Sequence, residues 1–185
     1  MSDVVRGFTR TLTGRIVLRV DVVEKGLLAT LLEQLIEFVA PEEPAGDADP
    51  LAAIIGIDDQ AERPVDPALV RLFPDAYPED PDASADFRRY TERGLRAAKA
   101  MAARTALESL RASGEKVTLS PDQAQAWLGA LTDIRLALGT RLEITEDTLD
   151  DLAALPDEDP RAGTYHLYDW LTYLAETLVR CLMPR

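Results

Sequence analysis

A chain of 185 residues with 46% hydrophobic content can bury one core and is too apolar to stay unfolded as a whole. Its 33 acidic and 20 basic side chains leave a formal charge of -13, which disfavours nucleic acid as a partner unless the bases gather on one face. One cysteine allows no disulfide within the chain, no window has the apolar length of a membrane span, and the first residues lack the basic and apolar run of a signal peptide, so a cytoplasmic protein is expected.

Residues 7–20 alternate with period two: Phe8, Arg10 and Leu12 among threonines, then Ile16, Leu18 and Val20 among Arg15, Val17 and Arg19. Thr13 and Gly14 separate the two runs, which predicts a hairpin with one face on the core. Asp21, with Glu24 three residues on, has the pattern of a capping box. The leucine-rich stretch that follows, Leu27 to Val39, is apolar over more than half a helical circumference, so a helix touched on two sides is expected, ending at Pro41.

Residues 41–86 hold eight of the twelve prolines and thirteen of the 33 acids, against only Arg63 and Arg71. This reads as an acidic, proline-punctuated crossover with short helical turns opened by Asp49-Pro50 and Asp66-Pro67. A long helix from about residue 82 to 112 comes next, with Phe87, Leu95, Ala98, Met101, Ala102 and Leu110 as its expected buried stripe. Its other side gathers Arg88, Arg89, Arg93, Arg96, Lys99, Arg104 and Arg111, with Glu92 four residues from both Arg88 and Arg96 and so placed to pair with either. Ser113-Gly114 stops the helix, and Val117 and Leu119 form an extended segment suited to a third strand.

Residues 120–143 give the clearest helix signal. Ser120 is a cap, Pro121 suits the first helical position, and Gln123 completes a capping box. Trp127, Leu128, Leu131, Ile134 and Leu138 form an apolar face, and Gly139 is a natural terminator. Residues 145–159 carry seven acids and no base, an acidic loop with a helical turn or two around Leu149, Leu152 and Leu155. A last helix, from about residue 165 to 183, places Leu167, Leu171, Leu174, Leu178 and Cys181 on one side. The elements predict a mainly α (α+β) fold over residues 1–185 as one domain. It is a helical bundle of about four long helices with a small N-terminal antiparallel hairpin, open to a third strand.

The inventory for chemistry is thin. The single histidine, His166, and Cys181 lie fifteen residues apart on one helix, which is about four turns, and zinc needs more nitrogen or sulfur ligands than these. No nucleophile elbow and no glycine-rich phosphate loop occurs. The expectation is therefore no enzyme, no cofactor and no metal; an enzyme working through the acidic loops is the alternative that keeps a catalytic role open. Cys181 reads either as a redox thiol, given Arg180 and Arg185 nearby, or as a small apolar residue in the helix stripe. The basic helix reads either as a docking face for an acidic protein or for DNA, or as an internal counter-charge to the acidic segments. The aromatic face of the last helix belongs to the core or to a homodimer.

Three stretches carry a resemblance: L-F-P-D-A-Y-P-E-D-P at 72–81 leading into A-D-F-R-R-Y-T-E at 85–92, W-L-G-A-L-T-D-I-R-L-A-L-G-T-R-L-E-I at 127–144, and Y-D-W-L-T-Y-L-A-E-T-L-V at 168–179. In these the chain resembles an actinobacterial family of uncharacterised proteins often encoded beside the ClpS protease adaptor. The resemblance implies a cytosolic protein without established enzymatic activity. It also implies, from members regarded as oxidative-stress regulators acting through cysteine pairs, contacts with the transcription machinery; a protein partner from the transcription or proteolysis machinery is expected. A single cysteine departs from that pattern and puts an intramolecular redox switch in doubt. Arg88, Arg89, Arg93, Arg96, Arg135 and Arg141 are the candidate interaction surface, with anchoring of the acidic crossover as their structural alternative.

Overall fold

In a computed structural model of the chain, residues 6–40, 62–114 and 116–184 are described. Three short strands, β1 (Gly7–Arg10), β2 (Ile16–Arg19) and β3 (Lys116–Leu119), form an antiparallel sheet in the order β1-β2-β3. Phe8 faces Leu18, and Leu18 faces Val117, which puts all three on the core side of the sheet. The expected hairpin and third strand are both present. The turn joining β1 to β2 is wider than two residues: Thr11 N–H donates to Arg15 O at 2.8 Å, and Gly14 takes a φ of +82°. Leu12 therefore sits fully exposed at the turn tip rather than continuing the alternation.

Helix α1 (Val22–Val39) begins at the capping box foreseen for Asp21 and Glu24, with both hydrogen bonds made. Its buried residues, Leu28, Leu31, Leu32, Leu35 and Val39, face two other helices, as its broad apolar surface implies. The turn expected at Asp49-Pro50 lies outside the described residues. The second one is there: α2 (Pro67–Leu72) is capped by Asp66, whose carboxylate accepts from Ala68 N–H at 2.7 Å. Next come α3 (Pro81–Arg111), α4 (Pro121–Arg141), the short α5 (Leu149–Ala153) and α6 (Ala162–Leu182).

Helix α4 is the hub, packed by α1, α2, α3 and α6. At its core Trp127 is fully buried, lies edge-on to Phe8 with ring centres 5.8 Å apart, and donates from Nε1 to Ser109 Oγ at 2.8 Å. The indole thus meets the sheet through its ring and α3 through its nitrogen. Gly139 does not end this helix. The helix runs on to Arg141, and the left-handed residue is Glu143, with φ of 53°. A Cβ at Gly139 would lie 3.4 Å from the Tyr168 ring, so that glycine admits a close neighbour on α6 instead.

The chain ends meet. The C-terminal helix α6 packs on β1, where Phe8 N–H donates to Thr177 Oγ1 at 3.2 Å. A side chain at Gly7 would stand 3.2 Å from both Thr177 and Tyr173, and its φ of +89° suits glycine alone. Lys25 Nζ, near the start of α1, donates to the carbonyls of Ser113 and Gly114 and pins the turn into β3.

Replacing Ser109 by alanine leaves the buried Trp127 N–H without its acceptor. The expected loss is about 1–3 kcal/mol in urea denaturation at constant m-value. A change below about 0.5 kcal/mol contradicts a structural role for this bond.

Candidate interaction site

The six arginines singled out from the sequence fall into two separate places. On α3 the stripe turned to the core begins with charge: Ser84, Arg88, Glu92 and Arg96 are buried, followed by Ala100, Ala103, Leu107 and Leu110. Of the apolar stripe expected there, only Leu110 is buried. Phe87, Leu95 and Met101 are 44%, 48% and 65% exposed, and Ala98 also faces out. The reason is that charge on this helix is neutralised internally, so its side belongs inside.

Glu92 lies between two guanidinium groups, with Arg88 on one carboxylate oxygen and Arg96 on the other, the latter at 2.8 Å. These are the two i,i+4 pairs that the spacing foretold. Arg88 also donates to Asp75 at 2.8 Å and to Phe73 O at 3.2 Å, which fastens the segment between α2 and α3. Arg96 reaches Ala40 O, the carbonyl closing α1, at 3.5 Å and lies 4.7 Å from the centre of the Phe73 ring. Burial disfavours the Arg88 cation, but the hydrogen bonds to Glu92 and Asp75 outweigh it and hold its pKa above the ordinary value.

One turn further on, Lys99 Nζ contacts Asp133 at 2.6 Å across the α3–α4 interface. Burial raises the Asp133 carboxyl, and the Lys99 bond opposes that shift. The sequence reading missed Asp133, although an acid two residues after Leu131 and one before Ile134 sits next to an apolar stripe and so calls for a partner. Arg88 and Arg96 thus anchor the crossover and cannot form an exposed docking patch. Arg89 is half-buried beside Asp86 at 3.5 Å, and Arg93 is partly exposed.

Arg135 and Arg141 stand near the C-terminus of α4, beside α2 and the last turn of α1. Arg135 Nε donates to Thr172 Oγ1 at 2.9 Å and its guanidinium lies 5.4 Å from the Tyr168 ring centre, so α6 fixes its direction. With Arg71, Thr132, Thr140 and Glu143 it lines a cleft of about 520 Å³. Arg141 is exposed, pairs with Asp66 at 3.4 Å and lies 5.7 Å from the Phe38 ring. It borders a second groove, about 570 Å³, between Leu31, Leu35 and Phe38 of α1 and Ile134 and Leu138 of α4. These two neighbouring concavities have largely apolar or hydroxyl walls and a mixed charged lining, Arg141 with Glu37 in the groove and Arg71 and Arg135 with Glu143 in the cleft.

Cys181 is buried, and burial pushes its thiol pKa up, with Arg10 opposing more weakly. His166 is exposed. Among the described residues no three His, Cys, Asp or Glu side chains come together in a way that could hold a metal ion, and no helix is long and apolar enough to cross a membrane.

The arrangement defines a small helical protein with a three-stranded cap, an internal ion ladder and an arginine-rimmed end. The chain belongs to the family described as Domain of unknown function (DUF2017), whose model matches residues 5–182. It is similar to the oxidative stress regulator AosR of Mycobacterium tuberculosis (strain ATCC 25618 / H37Rv) and to that of Mycobacterium bovis. Each is 35% identical over 174 residues, covering 86% of this chain and 78% of the relative. No solved structure matches the chain.

Two outcomes check the site. Glu92→Gln leaves two buried cations without their carboxylate and should cost about 3–5 kcal/mol in denaturant unfolding, whereas Arg93→Gln should stay within about 0.5 kcal/mol. Cys181 in the native protein should react with iodoacetamide at least about 100-fold more slowly than in urea, as followed by mass spectrometry. Equal rates would place the thiol on the surface.

Proposed function

We propose that this chain is a non-enzymatic regulator in the response to oxidative stress that acts by binding other proteins. The observation carrying the reading is the 35% identity, over 86% of the chain, to proteins named oxidative stress regulators. The end of α4, where Arg71, Arg135 and Arg141 border two concavities, supports a contact there with an acidic segment carrying apolar side chains. Transcription or proteolysis proteins are the partner class.

Protein is favoured over DNA because two cations of the basic helix, Arg88 and Arg96, are consumed inside the fold. What remains outside on α3 is a short row of bases in a chain of charge -13, a poor match to a phosphate backbone. The thiol is not the sensor in this reading. A lone, buried Cys181 with a raised pKa reacts slowly with oxidants, so the signal reaches the chain through its partner.

Removing the gene from its host should alter the transcript response to diamide or peroxide, and the wild-type chain should restore it. The Arg71→Glu/Arg141→Glu variant should fail to restore it while keeping its helical circular dichroism and melting temperature, since both residues are exposed. An unchanged response in the deletion strain refutes the regulatory role. Full restoration by the variant removes this end of α4 from the contact surface.

A further inference from the structure

The cleft where α2, α4 and α6 meet holds charges of both signs that the fold leaves unused. Arg135 is aimed by α6, with Nε on Thr172 Oγ1 at 2.9 Å and the guanidinium beside the Tyr168 ring. Its two outer nitrogens, the Arg71 guanidinium and the Glu143 carboxylate make no hydrogen bond or ion pair among the described residues. All three side chains line the same space of about 520 Å³. On the opposite flank of α4 the charges are paired, Lys99 with Asp133.

Glu143 also stands where helix-end chemistry favours glycine. It follows α4 with a φ of 53°, and its N–H donates to Thr140 O at 3.2 Å while Ile144 N–H donates to Gly139 O at 2.9 Å, the bonding of a left-handed helix stop. A side chain there carries a conformational cost that glycine avoids. Its carboxylate reaches the cleft and no described residue uses it. The rest of the lining narrows the ligand. Thr132 and Thr140 give their hydroxyl hydrogens to Leu128 O and Leu136 O, at 2.7 and 2.8 Å, so toward a ligand they accept. Leu136 and Ile144 supply apolar wall.

We infer that this cleft binds a free aliphatic α-amino acid. Arg71 and Arg135 take its carboxylate, Glu143 takes its ammonium, and Leu136 and Ile144 meet its side chain. Two guanidinium forks suit a planar carboxylate. A simple anion such as phosphate would satisfy the arginines but meet Glu143 as a like charge. The site needs no partner protein, so it is read on the purified chain alone and stands or falls apart from the regulatory role.

Isothermal titration of the full chain with L-leucine tests this. Saturable binding below about 10 mM is expected. L-Leucinamide, which lacks the carboxylate, and isocaproate, which lacks the ammonium, should each bind at least about tenfold more weakly. Arg71→Gln and Glu143→Gln should each weaken L-leucine about tenfold. Glu143→Gly should lose the ligand while melting about 2–4 °C higher, because it relieves the left-handed position; that separates loss of contact from loss of fold. No saturation by L-leucine up to about 10 mM overturns the proposal. Equal binding of isocaproate or inorganic phosphate also overturns it, since that marks a site for any anion. So does a Glu143→Gln or Glu143→Gly variant that binds L-leucine as the wild type does.

Discussion

The constraint on which the structure turns is the burial of one carboxylate, Glu92, between Arg88 and Arg96. Moving three charges out of water is costly, and the cost is met only if every remaining donor finds an acceptor. Those donors reach outward to Asp75, to Phe73 O and to the end of α1 at Ala40 O. One helix edge thereby fixes where the crossover enters α3 and where α1 stops. A hydrophobic stripe of the same shape would pack as well, but it would not dictate which carbonyls sit over it. The ladder therefore sets geometry more than it supplies stability.

Most of the element boundaries were legible because caps and periods agree locally. Asp21 with Glu24, Asp66 before Pro67, and Ser120 with Gln123 each name a helix start through a side-chain acceptor, and each bond is made. Which side of α3 faces inward was not legible. The periodicity of apolar residues pointed to Phe87, Leu95 and Met101, whereas the fold buries the arginine side, because pairing across four residues and across the chain neutralises it. The partners that make burial affordable, Asp75 and Ala40 O, lie 13 and 56 residues away and leave no mark in the local pattern. Gly139 misled for a related reason. Its lack of a side chain serves the approach of Tyr168 from α6, a contact that helix-end rules do not see.

The same division explains why the candidate surface was half readable. Six arginines have equal claims as letters in a sequence. In the fold, two are interior ties, two lie along α3, and two rim the concavities at the end of α4. Membership of the DUF2017 family and likeness to oxidative stress regulators bring a biological setting to a protein whose described residues assemble no metal cluster. In this chain the single thiol is buried on the apolar side of α6.

The contact between β1 and α6 has a consequence for the birth of the molecule. Phe8 N–H is satisfied by Thr177, 169 residues later, so the first strand leaves the ribosome long before the helix that covers it exists. During synthesis β1 can pair with β2 but presents an open edge, and β2 itself waits for β3, which follows Val20 only after the whole of α1, α2 and α3. Covering β1 therefore requires α6, which follows all the other described elements in the chain. A product truncated before α6 leaves Phe8 N–H without Thr177 and β1 uncovered.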